Sequence, residues 1–341
     1  RHLTIPCEMC IRDRLTEAQK KAYRILDNKL QNDSEWDFEN LKIELDNLED
    51  AGFELEEWGL DDLLKLAPVA EEEEAYEDGG PGEVPDEPFI KLGDVIELGK
   101  HRVECIDCRE AESLKGKAAL WITDPPYGVS YVGKTKDALT IENDDCNQDE
   151  IEQLWRDATK YALESLRDGG SCYATVPAGP LHFVFLKEWI ELSVYHQQLV
   201  WQKGSMVLGR SDYHYKHEPV LYGWKPGAKH YFTNDRTKTS VLEFDRPTRS
   251  AEHPTMKPIA LWAELISNST KPGEIVLDTF LGSGTTLIAA DQLDRICYGM
   301  EISPKYCQVI LERYIKYRQE AGKEVKIKIN GEDFDPKSIN L

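Results

Sequence analysis

Glu274-Ile275-Val276-Leu277-Asp278-Thr279-Phe280-Leu281-Gly282-Ser283-Gly284-Thr285-Thr286 decides the fold. Ile275–Leu277 reads as a short buried strand, Gly282 and Gly284 as a tight turn, and Leu287-Ile288-Ala289-Ala290 as the body of a helix. Strand, glycine turn and helix in that order form the nucleotide-cofactor arrangement of doubly wound α/β proteins. Glycines let the backbone approach a ligand closely, and the unpaired N–H groups of a helix N-terminus favour an anionic group. The third glycine of the dinucleotide fingerprint is absent, which weakens a nicotinamide reading. One strand further on, Arg295-Ile296-Cys297-Tyr298-Gly299-Met300 ends in Glu301, an acid suited to a ribose diol.

A second stretch carries a different chemistry. Ala118-Ala119-Leu120-Trp121-Ile122-Thr123 is an apolar strand, and it runs into Asp124-Pro125-Pro126-Tyr127. Two successive prolines fix φ and remove two backbone donors, so their carbonyls can only accept hydrogen bonds. A carboxylate beside such carbonyls is an acceptor cluster suited to a planar amino group. Tyr127 adds a flat face on which a base can stack. Taken alone, Asp-Pro is also a common turn dipeptide.

Outward from these motifs the chain alternates strands and helices. Strand-like runs are Arg102–Ile106, Leu120–Thr123, Cys172–Val176, Gln198–Trp201, Ile275–Leu277 and Ile296–Gly299; helical ones are Glu150–Arg167, Leu181–Leu192, Pro258–Ser269, Thr285–Leu293 and Pro304–Glu320. The alternation predicts an α/β fold, a doubly wound Rossmann-like sheet covered on both faces. Asp107, Asp124, Asp278 and Glu301 all fall where a strand ends, the side on which such sheets bind ligands.

The two motifs resemble those of the S-adenosylmethionine-dependent DNA adenine-N6 methyltransferases. Asp124-Pro125-Pro126-Tyr127 matches the catalytic motif and Asp278-Thr279-Phe280-Leu281-Gly282-Ser283-Gly284 the cofactor motif. His253-Pro254-Thr255-Met256-Lys257-Pro258 matches a third, which precedes the cofactor motif. The catalytic motif comes first in the chain, as in the permuted β group of that family, and the resemblance covers roughly residues 90–320. It implies methyl transfer from S-adenosylmethionine to the exocyclic N6 of an adenine flipped out of double-stranded DNA. Asp124 Oδ and the Pro125 carbonyl would accept both amino hydrogens, and Tyr127 would stack on the base. The resemblance also places Phe280, Gly282, Ser283 and Gly284 around the methionine of the cofactor, with Asp278 orienting their loop. Glu301 would take the ribose hydroxyls, Asp107 would lie near the adenine of the cofactor, and His253, Thr255 and Lys257 near its carboxylate. Two alternatives stay open: a cytosine-N4 methyltransferase, and an inactive DNA-binding phage-type protein. Aspartate at the first motif position favours adenine over cytosine-N4, where serine is more usual.

Charge divides the 341 residues into regions. The net charge of −22 is unusual for a DNA-binding protein, but residues 68–88 hold nine acidic and no basic side chains, whereas residues 203–257 hold ten basic against six acidic. Phosphate is repelled by the former and attracted by the latter. Residues 203–252 therefore read as the target-recognition stretch, with Lys203, Arg210, Tyr213, His214, Lys216, Arg246 and Arg249 as candidate DNA contacts.

Residues 1–67 read as a small α-helical module, opened by a Thr16/Gln19 capping box. Around Ile25-Leu26-Asp27-Asn28-Lys29 it resembles the C-terminal part of a ParB/sulfiredoxin-like domain, truncated at its start. Residues 68–88 are expected to be an acidic disordered linker. Residues 89–325 form the expected catalytic domain, and 326–341 a C-terminal tail.

No run of about 18 apolar residues occurs, so no transmembrane helix is expected. The start at Arg1, without an initiator methionine or signal-like segment, predicts a fragment or a processed chain. Eight scattered cysteines suit a reduced, cytoplasmic protein of bacterial or phage origin. The two Cys-x-x-Cys pairs, Cys7/Cys10 and Cys105/Cys108, are not expected to share a metal, because Cys105 lies in a strand. No metal is expected; a homodimer is a candidate assembly.

Overall fold

Burial alternates between the two faces along Val95–Leu98 and His101–Glu104 and is unbroken along Ala118–Thr123, and this sets the layers around the sheet. The structure, a computed structural model, describes residues 75–127, 148–204, 212–235, 237–244 and 257–339, with the single positions 16 and 48. The chain divides into two units, residues 1–72 with 234–236 and residues 73–233 with 237–341; the fold described below is that of the second. The helices expected within 1–67 lie outside the described residues, as do Arg210, Arg246, Arg249, His253 and Thr255.

Among the described residues one eleven-stranded sheet contains β1 (Val95–Leu98), β2 (His101–Glu104), β3 (Ala118–Thr123), β4 (Leu166–Thr175), β5 (Tyr195–Gln202), β6 (His217–Trp224), β7 (Val241–Glu243), β8 (Ile275–Asp278), β9 (Ile296–Met300), β10 (Ile327–Ile329) and β11 (Glu332–Asp333). Their spatial order is β11-β10-β1-β2-β9-β8-β3-β4-β6-β5-β7. The central run β2-β9-β8-β3-β4 is parallel throughout, and antiparallel pairs extend it on both sides. The described residues of the unit also include five α-helices: α1 (Gln148–Ser165), α2 (His182–Glu191), α3 (Ile259–Ser269), α4 (Thr285–Gln292) and α5 (Pro304–Glu320).

Leu120, Ile122 and Val276 face one core with α3, α4 and α5, while Trp121 and Leu277 face a second with α1 and α2. Strands buried on both faces must be apolar without interruption, which is why Ala118–Ile122 contains no polar residue. The second core is built around indoles. Trp121 stacks on Trp155 at 5.3 Å, and Trp155 on Trp189 at 5.9 Å. Helices thus cover both faces of a doubly wound sheet.

The chain runs from β3 through α1 to β4 on one side, and from β8 through α4 to β9 on the other. The direction of winding therefore reverses between β3 and β8, which places the ligand crevice at their carboxyl ends. The acids at the strand ends follow β2, β9, β8 and β3, four adjacent parallel strands.

Three sequence expectations need correction. Residues 217–224, read as part of the recognition stretch 203–252, form the interior strand β6 between β4 and β5. Pro219 and Gly223 mask it, since both are poor strand residues. Gly223 is required there, because a Cβ would lie 1.8 Å from the Val194 carbonyl oxygen. The 326–341 tail supplies β10 and β11, which extend the sheet from β1.

The third correction concerns the expected disordered linker, of which the described residues 75–88 are ordered. The Tyr76 amide and carbonyl pair with the Gln292 side chain, and Asp78 is 4% exposed against Arg313. Asp78, an acid with no local counter-charge, finds its buried partner 235 residues away, which composition alone does not reveal.

Candidate active site

At the end of β8 the Asp278 carboxylate is 2% exposed and accepts three hydrogen bonds: from Thr123 Oγ1 on β3 at 2.8 Å, from the Phe280 amide at 3.0 Å and from Thr286 Oγ1 on α4 at 2.5 Å. It thereby joins the two strands at the point of reversal and fixes the turn after β8. Burial pushes its carboxyl up to about 6 against the pull of those donors. The folded state therefore retains a proton that the unfolded chain has released between the ordinary value of 3.8 and about 6. Its contribution to stability is complete below that window and falls as pH rises through it. Replacement by asparagine is expected to remove this part of the pH slope, seen as a difference between mutant and wild-type urea midpoints across about pH 4 to 6. A constant difference over that range would show that Asp278 does not titrate there.

The glycine turn itself is open toward the crevice. A Cβ on Gly282 would meet nothing within 4 Å, and Gly282 and Gly284 have φ of +54° and +86°. Behind the turn, a Cβ on Gly284 would lie 3.2 Å from Ile310 of α5. Glu301, following β9, accepts from the Gly282 amide through one carboxylate oxygen and from the Ser303 amide through the other, both at 2.9 Å. Phe280 is half-buried beside the turn. Asp107 lies three residues beyond β2. Burial would raise its carboxyl, but the hydrogen bonds and charge of Arg109 hold it below the usual range. An open glycine turn, a half-buried aromatic ring and an acid that holds the turn from the end of the next strand suit a nucleoside cofactor carrying an amino-acid arm.

Asp124 follows β3, the strand adjacent to β8. Its Oδ1 accepts from Tyr127 Oη at 3.0 Å and from Thr175 Oγ1, and its Oδ2 accepts from Lys257 Nζ at 2.6 Å. Lys257 also approaches Glu218 at 3.3 Å, and Glu218 in turn pairs with Lys203. Burial alone would strip the Lys257 proton, but the two carboxylates more than offset it and hold the ammonium above its usual value. Burial likewise opposes ionisation of Glu218, yet Lys257 and Lys203 bring its carboxyl down to about 2. The result is an alternating row of buried charges that ends at Asp124. Burial, reinforced by the Asp124 charge, pushes the Tyr127 hydroxyl well above its ordinary value, so it remains a donor. The Tyr127 ring meets Phe185 edge-on at 6.1 Å.

Several of the expected site residues make contacts that the sequence did not foretell. Lys257, assigned to the carboxylate of the cofactor, holds Asp124. Lys203, assigned to DNA, is 4% exposed and serves the interior row. The Tyr127 hydroxyl, idle in the stacking picture, touches the Asp124 carboxylate. Tyr213 is 90% exposed, and His214 and Lys216 are also at the surface.

Thr175 was not singled out from the sequence. Thr175 ends β4, and Ala174 pairs with Thr123, so the register of two neighbouring strands carries Thr175 to Asp124. That pairing was the available signal.

A fold and site of this kind define a methyltransferase that uses S-adenosylmethionine. The DNA methylase family model N6_N4_Mtase matches residues 118–312, and the chain belongs to this family of S-adenosylmethionine-dependent DNA methyltransferases. Among its relatives, the type II methyltransferase M2.DpnII of Streptococcus pneumoniae is 26% identical over 219 residues, 56% of this chain and 80% of that protein. M2.MboI of Moraxella bovis is 28% identical over 239 residues, 60% and 84% of the two chains.

Solved structures share the fold. TTHA0409 of Thermus thermophilus, complexed with S-adenosyl-L-methionine, superposes with a TM-score of 0.50 at 23% identity, covering 66% of this chain and 96% of its own. The cytosine-N4-specific PvuII DNA methyltransferase gives a TM-score of 0.50 at 16% identity, covering 64% and 90%.

Proposed function

We propose that the enzyme methylates the N6 amino group of adenine at specific sites in double-stranded DNA, as a member of the permuted β group. One observation carries the reading. An aspartate, fixed from three sides, stands at the end of β3 directly beside the strand that bears the cofactor turn. The permuted order is supported by β3 preceding β8 in the chain while the two lie side by side in the sheet.

The adenine amino group has its lone pair delocalised into the ring and is a poor nucleophile until its geometry changes. When bound, S-adenosylmethionine supplies an electrophilic methyl group on a sulfonium. Asp124 Oδ and the Pro125 carbonyl accept the two amino hydrogens and hold the nitrogen with its lone pair free, which lowers the barrier through orientation. Lys257 donates to Asp124 and is itself held protonated by the carboxylates beside it, so it is not the base. Phe280, Gly282, Ser283 and Gly284 would cradle the amino-acid arm of the cofactor and Glu301 its ribose, with Asp107 nearer the adenine. Tyr213, His214 and Lys216 are the described candidates for phosphate or base contact; Arg210, Arg246, Arg249, His253 and Thr255 retain their expected roles. Residues 1–67 are assigned as the remnant of a ParB-like module, and the relatives' type II names support a restriction-modification setting in a bacterial or phage cytoplasm.

Incubation with labelled S-adenosylmethionine and mixed-sequence duplex DNA, followed by mass spectrometry of the nucleosides, tests the assignment. N6-methyl-2′-deoxyadenosine is the expected product; N4-methyl-2′-deoxycytidine would replace it with the other chemistry of the family.

Base flipping gives a further test. A 2-aminopurine at the target position is expected to brighten on binding, and a mismatch opposite it to tighten binding. Tyr127→Ala should weaken both effects by about 1–3 kcal/mol, the range for loss of one base–aromatic stack. Tyr127→Phe should preserve the fluorescence change but lower turnover, because the hydroxyl bond to Asp124 is lost. An unchanged signal in Tyr127→Ala would remove the ring from base stacking.

A further inference from the structure

Residues 76–89 form a strap across the three helices that pack against the cofactor side of the sheet. The Tyr76 backbone is held at both polar atoms by Gln292 at the end of α4, at 3.0 and 2.9 Å. Glu77 Oε1 accepts from the Ala260 amide in the first turn of α3 at 3.3 Å, and the Phe89 amide donates to Gln308 Oε1 of α5 at 2.9 Å. Between these anchors Asp78 meets Arg313 of α5 through two bonds, Nε to Oδ2 at 2.6 Å and Nη2 to Oδ1 at 2.9 Å, with side chains 4% and 1% exposed. The remaining terminal nitrogen of Arg313 donates to the Ser283 carbonyl at 2.9 Å and to Thr285 Oγ1 at 3.4 Å. A buried guanidinium thus links the strap to the residue between the two glycines of the cofactor turn.

We propose that Asp78 is a positioning residue for cofactor binding. Gripped by a carboxylate fork, Arg313 is both neutralised and oriented, and its free edge holds the Ser283 carbonyl so that the turn keeps its open form. Without Asp78 the buried guanidinium is uncompensated and turns toward solvent, and Ser283 loses its donor. The effect falls on the turn and not on the Asp124 cluster. The proposal rests on S-adenosylmethionine binding at this turn.

In the full chain, Asp78→Asn is expected to raise both the Kd and the KM for S-adenosylmethionine roughly tenfold, the order typical when an indirect coupling is cut. The kcat at saturating cofactor and the KM for DNA should stay within about twofold, since neither depends on this contact. Asp78→Glu should recover part of the affinity. Arg313→Lys, whose single ammonium cannot serve Asp78 and Ser283 together, should reproduce the loss. A role in folding alone would lower the melting temperature and the active fraction, hence kcat, with cofactor affinity unchanged. That result in a folded Asp78→Asn or Arg313→Lys protein overturns the proposal. Wild-type protein that fails to bind S-adenosylmethionine in the same calorimetry would instead overturn the cofactor assignment on which it rests.

Discussion

Asp124→Ala is expected to lower kcat at least about a hundredfold, as loss of a group that orients the reacting atom does, while the Kd for S-adenosylmethionine changes only a few-fold. The separation follows from the contacts. Asp124 touches Thr175, Tyr127 and Lys257, and none of these bonds reaches the glycine turn. The fold should survive the change because Glu218 still faces the Lys257 ammonium at 3.3 Å. Asp124→Asn, which keeps the shape but exchanges one acceptor for a donor, should be nearly as inactive. Single-turnover assays beside calorimetry would measure both quantities, and comparable turnover in either variant would show that the target amine is held elsewhere.

Gly284→Val should reduce S-adenosylmethionine binding below calorimetric detection, with far-ultraviolet circular dichroism close to wild type. The sequence alone suggests that a larger side chain would fill the space of the methionine. The structure gives a different cause. At φ of +86° a β-branched residue is strained by about 1–3 kcal/mol, and its Cβ would press on Ile310 at 3.2 Å, on the side of the turn that faces α5. The turn would have to move away from α5, carrying the Gly282 amide off Glu301. Unchanged binding would reduce the glycine turn to a connector.

Those two residues were legible in the sequence because local pattern marks them. Asp124 and Gly284 each follow an apolar run at a strand end, and strand ends can be read from composition. The five helices were also legible, with boundaries within about two residues, since each has enough turns to show its pattern. What escaped reading depends on pairing across the chain. β6 carries a proline and a glycine that only its neighbours explain. Thr175 reaches Asp124 through register, and Lys257 and Lys203 look like solvent-facing cations until Glu218 is placed between them. Asp78 belongs to a run of acids whose composition predicts solvation. Its partner lies 235 residues away, and no local signal separates Asp78 from the other acids of the run. Charge pattern marks residues 203–257 as basic, but it could not separate the interior Lys203 from the exposed Lys216.

The buried Asp278 bridge to Thr123 has a consequence for how the gene can change. The part of the enzyme that holds the cofactor and the part that presents the amine are joined by side chains across adjacent strands, not by the peptide running from one to the other. The order in which a ribosome makes them is then immaterial to the finished crevice. A recombination event that exchanged the coding order of the two parts, with the breaks falling outside the strands, would preserve every contact across that seam. Genealogies inferred from linear motif order can therefore separate enzymes whose catalytic interiors are the same.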